Sequence, residues 1–181
     1  MKKFEKIIIR KPTQALFRIH KLPKQYRDDV SKLYNFIHLV RSYAKPESLN
    51  PEGFKTVVRR WQSTKKDNSF GHFEKLDDSA NEMAIANIAY LVNRYDVSTK
   101  DVDDFLRSVA IELKRKPLHS AQEMARYLQY SAEAPAAMLA KVMQLPNALI
   151  HNTKMQAKAI KIIMLLNSLG EVEGGLSLIH I

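Results

Sequence analysis

Residues 24–44 read KQYRDDVSKLYNFIHLVRSYA. Tyr26, Val30, Leu33, Tyr34, Ile37 and Val40 recur at intervals of three and four, which places them on one face of an α-helix. Pro23 stands just before this stretch, where its fixed φ suits a helix entry, and Pro46 stops it. The same period runs through the rest of the chain. Asn50-Pro51-Glu52 supplies an N-cap, a first-turn proline and an acidic first turn, with Phe54, Val57, Val58 and Trp61 on one side of the helix that follows. Residues 63–76 are polar, carry Gly71 and read as a loop. A helix over Ser79 to Tyr95 has Ala84, Ile88, Leu91 and Val92 as its stripe. Ser98-x-x-Asp101 and Ser120-x-x-Glu123 are capping boxes. The first opens a helix with Val102, Phe105, Leu106, Val109 and Leu113 inward, stopped by Pro117. The second opens a long helix to Met143, carrying Met124, Tyr127, Leu128, Met138 and Val142, which Pro135 should kink. Asn152 to Leu169 reads as the last helix, with Gly170 as its stop. Its run of Ile160, Ile162, Ile163, Met164, Leu165, Leu166 and Leu169 is apolar on most sides and predicts a central position. Ile7–Ile9 is the one candidate strand. The prediction is an all-α single domain over residues 1–181, a bundle of about six or seven helices with an irregular tail at 172–181.

Composition narrows the function. With 181 residues, 45% hydrophobic and 27% charged, the chain is globular and long enough for a sizeable core. The absence of Cys excludes disulfides, a thiolate zinc site and a Cys nucleophile. No stretch reaches the ~18 apolar residues of a membrane span, and the start lacks the ~7–15 apolar residues of a signal peptide. A cytoplasmic protein is expected, with attachment to a membrane surface as the other setting its charge allows. The net charge is +10, and residues 1–62 carry all of the excess, with 15 Lys and Arg against 5 Asp and Glu. Such a field attracts phosphates, diphosphates, nucleic acid or an anionic membrane, though it is also what a solvated helix face looks like. The chain lacks the interleaved aromatic and basic platform of single-strand binders, so nucleic acid ranks last.

Local motifs add little. There is no P-loop, no G-x-G-x-x-G and no H-E-x-x-H, and the 6 His share no ligand spacing. Asp101, Asp103 and Asp104, like Asp28-Asp29 and Asp77-Asp78, read as acids favoured at a helix start. Lys114-Arg115-Lys116 reads as solvated, and SAEAPAAMLA at 131–140 as a small-residue stretch for close packing. Arg41 and Lys45 stand i, i+4 at the end of the first helix, either as a phosphate clamp or as cations welcome at a helix C-terminus.

Three segments carry a resemblance. LPKQYRDDVSKLYNFIHLVRSY resembles the early helix of squalene/phytoene synthases, FLRSVAIELKRKPLHSAQEMARYLQYSAEAPAAMLAKVMQLP their middle section, and AIKIIMLLNSLGEV the helix of their second aspartate motif. In order and at compatible spacing they cover most of residues 12–172. The resemblance implies an all-α isoprenoid synthase fold. In it, two Asp-x-x-x-Asp motifs face each other across an apolar cavity and hold Mg²⁺ on the diphosphates of two prenyl substrates, which couple head to head through a cyclopropyl intermediate. Further helices follow the second motif in that family, so the bundle here is expected to be incomplete on its C-terminal side, leaving apolar surface for a partner protein or a membrane.

The pattern departs where the chemistry lives. The first motif's aspartates fall on Arg41 and Lys45, and the arginine ahead of it on His38. The second motif's aspartates fall on Glu171 and Gly175, with Gly170 at the preceding arginine and Met164 at the helix glutamine. The middle segment's aspartate falls on Glu112, and the serine-rich opening on Pro12-Thr13-Gln14-Ala15. Tyr34, Tyr127, Tyr130 and Asn167 match. By resemblance, Arg41 and Lys45 become the diphosphate candidates. Tyr34, His38, Tyr127, Tyr130 and Asn167 become pocket-lining candidates, and Glu112 and Glu171 residual metal ligands. Cations do not ligate Mg²⁺, so no cofactor is expected, and no catalytic residue is assigned. The expected ligand is a prenyl diphosphate or other isoprenoid lipid, bound by a protein that has lost head-to-head condensation or by a transferase with an altered diphosphate site.

Overall fold

The computed structural model describes residues 22–70 and 79–177, with side chains as far as Leu165. Among the described residues all regular structure is helical, as the period predicts. α1 spans Lys24–Ser42, α2 Pro51–Lys66, α3 Ala80–Tyr95, α4 Thr99–Lys114, α5 Ala121–Leu128, α6 Ala134–Val142 and α7 Asn147–Ser177. A 3-10 turn at Pro46–Ser48 follows α1, and a π-helical turn at Gln129–Glu133 joins α5 to α6. These three segments are the long helix expected to kink at Pro135. Ile7–Ile9, Pro12 to Ala15, Gly71 and Asp77-Asp78 lie outside the described residues.

Caps account for several starts. Asn50 Oδ1 accepts the Gly53 N–H at 2.9 Å, and Ser120 Oγ accepts the Glu123 N–H at 3.1 Å. Glu123 Oε2 accepts the His119 N–H at 2.7 Å, one residue outside the expected box. Ser98 also precedes its helix but makes no side-chain cap. The core gathers where α1 packs on α3 and α6, α4 on α6 and the π turn, and α2 on α3 and α4. Phe36, Trp61, Ile85, Ile88, Phe105 and Met138 are fully buried there. The small side chains of Ala132, Ala134, Ala136, Ala137 and Ala140 are buried too, the close packing that stretch predicts.

Four expectations need correction. α2 runs to Lys66, so the loop begins later than 63; Thr64 is buried on the core side, and its Oγ1 is satisfied by the Arg60 carbonyl at 3.0 Å. Met124 is exposed, not inward, since the adjoining Tyr127 and Leu128 take the buried side of α5. Asp29 is not in a first turn but buried deeper in α1, where Lys32 and Tyr95 hold it. α7 differs most. It starts at Asn147, passes through Gly170 and reaches Ser177, so 172–177 are helical rather than irregular. A glycine stop needs positive φ, and no described glycine has it; one helical glycine costs only about 1 kcal/mol. Nor is α7 central. Its side toward α6 and the π turn carries the half-buried Lys158 and Lys161, which turns Met155, Ile162, Ile163 and Met164 outward. No described helix is long and apolar enough to cross a membrane.

The Asp29 site fastens α1 to α3. Its carboxylate is 8% exposed and accepts from Tyr95 Oη at 2.5 Å and Lys32 Nζ at 2.8 Å. Burial alone would raise its pKa, but the bonds from Lys32 and Tyr95 outweigh this and hold it below the ordinary 3.8. The folded pKa is depressed, so the stability is present above the ordinary value and is lost as pH falls through the folded one. Asp29→Asn should cost about 2 kcal/mol at pH 7 in chemical denaturation, and the deficit should shrink below pH 3.8.

Candidate functional site

In an α-helix the carbonyl of residue i accepts from the N–H of residue i+4. For Ser131 that residue is Pro135, which has no N–H. The chain widens here into the π turn, in which the Ala134 N–H reaches the Gln129 carbonyl. The Ser131 carbonyl takes a donor from another helix: Arg41 Nη2, in the last turn of α1, bonds it at 2.8 Å. The guanidinium carbon lies 5.7 Å from the centre of the Phe105 ring on α4. One bond does not satisfy this group, since Arg41 Nε is buried without a partner. Ser131 Oγ is likewise unpartnered, on a residue 3% exposed. It sits near enough to the Tyr127 hydroxyl to favour that group's ionised form, yet makes no formed hydrogen bond.

Tyr127 of α5 is buried and donates its hydroxyl to Glu112 Oε1 of α4 at 2.8 Å. Burial first, and then the Glu112 charge, push the phenol well above its ordinary range, so it stays protonated at neutral pH. Lys161 enters from α7, with Nζ 5.6 Å from the centre of the Tyr127 ring. Burial, and then the charge of Arg41, lower its pKa, while Glu112 opposes them. Lys158, one turn earlier, pairs with Glu133 of the π turn at 2.9 Å and holds α7 in register. The site therefore joins α1, α4, α5, the π turn and α7 around Arg41, Lys161 and Glu112, two cations to one carboxylate among the described residues. That balance favours an anion.

The structure separates the proposed clamp. α1 ends at Ser42, and Lys45 is exposed with φ −67° and ψ 141°. Pro46 excludes the helical backbone from the residue before it, so Lys45 never shares the helical face of Arg41. Tyr34 and His38 do share that face, at i, i+4 and i+7 with Arg41. Their rings lie 5.6 Å apart, with Tyr34 half-buried and His38 exposed. Tyr130 leaves the cluster, with the Arg107 guanidinium 5.9 Å from its ring centre. Asn167 and Glu171 lie on α7 beyond the described side chains. Sequence reading missed Ser131 and Lys161. Both had signals: a serine four residues before a helical proline, and a lysine inside an apolar run.

The donor set does not suit Mg²⁺, which takes near-octahedral oxygen ligands. Glu112 already accepts from Tyr127 and faces Lys161, and the group nearest them on α1 is the Arg41 guanidinium, a donor and not a metal ligand. Among the described residues no three His, Asp or Glu converge. Asp103 is taken by Trp61 Nε1 at 2.8 Å and Lys65 at 2.6 Å, and Asp104 by Lys100 and Arg107.

Arg41→Met should cost about 1–3 kcal/mol, because it leaves a buried carbonyl unpaired. Lys45→Met should change stability by less than about 0.5 kcal/mol, as exposed positions do. Urea denaturation of the two variants checks the contrast.

Comparison with known proteins bears on this geometry. A family model described as squalene/phytoene synthase matches residues 16–174. Neither the curated proteins nor the solved structures compared contain a match. The matched span takes in α1 through most of α7, including Arg41, Glu112, Tyr127, Ser131 and Lys161. The all-helical architecture agrees with the fold that this family implies, and the chain belongs to the squalene/phytoene synthase family.

Proposed function

We propose that the chain binds isoprenoid diphosphates and has lost Mg²⁺-dependent head-to-head condensation. The observation that carries this reading is Arg41. By the sequence resemblance it falls at the first aspartate of the family's metal motif, and its side chain turns inward, with Nη2 on the Ser131 carbonyl and Nε unused. Condensation requires the diphosphate to leave an allylic carbon, and in the family metal ions take up the charge that develops on it. Here the described interior offers fixed cations instead. Lys and Arg bind phosphate oxygens directly, which serves retention of the ligand.

A second reading keeps a prenyl transferase with an altered diphosphate site. Glu112 favours it, as a carboxylate held inside the bundle by Tyr127. Cations aimed at a leaving group can also lower a barrier. Incubation of the purified protein with Mg²⁺ and farnesyl or geranylgeranyl diphosphate separates the two. The expected outcome is no squalene, phytoene or cyclopropyl precursor by mass spectrometry. Formation of any of these, abolished by Glu112→Gln, would establish the second reading instead.

A further inference from the structure

We propose that Arg41 and Lys161 together form a binding site for diphosphate oxygens that works without a divalent ion. The inference rests on the reading above that the ligand is a diphosphate, and it replaces the sequence pair of Arg41 and Lys45 with one drawn from two different helices. Arg41 arrives on α1 and Lys161 on α7, with Tyr127 of α5 against Lys161 at 5.6 Å from its ring centre. Among the described residues a single carboxylate, Glu112, stands with them, and one of its oxygens is occupied by the Tyr127 hydroxyl at 2.8 Å. Positive charge is therefore in excess in a partly desolvated space, where an unbalanced charge is costly.

Two further polar atoms point to a ligand. Arg41 Nε is a buried donor without an acceptor, and Ser131 Oγ is a buried hydroxyl without a partner. Such atoms are rare in folded proteins and call for an explanation. A phosphate group supplies acceptors for the Arg41 Nε–H, the Lys161 ammonium and the Ser131 hydroxyl at once, and its charge offsets the excess. The groups a metal would otherwise bridge are thus met directly.

Isothermal titration with inorganic diphosphate in EDTA tests this. The wild type should bind with one-to-one stoichiometry, and added Mg²⁺ should not tighten binding. Lys161→Gln should weaken it at least tenfold while leaving the melting temperature unchanged or higher, since it removes a half-buried cation that repels Arg41. Lys45→Gln, at the exposed position, should bind as the wild type does. Arg41→Lys keeps the charge but loses the fork, and should weaken binding without the full folding cost of Arg41→Met. Binding that requires Mg²⁺, or unchanged affinity in Lys161→Gln, would overturn the proposal. A parallel titration with farnesyl diphosphate addresses the isoprenoid reading separately. Affinity no better than for inorganic diphosphate would sink that reading while leaving the metal-free site standing.

Discussion

A proline that has no hydrogen to give sets the geometry of this interior. Pro135 leaves the Ser131 carbonyl without its helical donor, and Arg41 reaches across from α1 to supply one at 2.8 Å. The contact ties α1 to the π turn, and the Phe105 ring of α4 lies with its centre 5.7 Å from the guanidinium carbon. It also decides which kind of side chain position 41 can carry. An acid at position 41 could not donate to that carbonyl; it would place two acceptors face to face. The π turn and the arginine are thus one adaptation, in which the local backbone defect and the distant side chain compensate each other.

The charge of the interior follows from that contact. Around that contact the described charged groups are Arg41, Lys161 and Glu112, so cations outnumber carboxylates there. Tyr127 binds that carboxylate and remains a phenol, so it brings no second anion to the site. Lys158 could have added to the positive excess, but Glu133 neutralises it locally. What is left over is aimed inward from Arg41 and Lys161.

Much of this was legible in the sequence, and the illegible parts share causes. The stripe of Val30, Leu33 and Val40 and the caps at Asn50 and Ser120 are local, and local rules read them. Trp61, Phe105 and Val109 were placed inward by period alone and are fully buried. Spacing alone puts Lys45 on the face of Arg41, but Pro46 disfavours helical backbone at the residue before it, and Lys45 is extended. Pro135 announced a kink, but the widening to a π turn depends on which donor arrives from elsewhere in the fold. Lys161 was hidden because hydropathy describes the whole run of α7, while burial depends on which side meets α6. That same choice of side put Ile162 and Ile163 outside. Tyr127 and Glu112 came from the family resemblance, yet their mutual bond is a tertiary fact that no spacing encodes.

The most direct measurement is a crystal structure grown with inorganic diphosphate and EDTA. Phosphate oxygens are expected within hydrogen-bond distance of Arg41 Nε and Lys161 Nζ, with Arg41 still on the Ser131 carbonyl. Arg41 turned out to solvent, or a metal ion bound at Glu112 in crystals grown with Mg²⁺ in place of EDTA, would contradict that expectation.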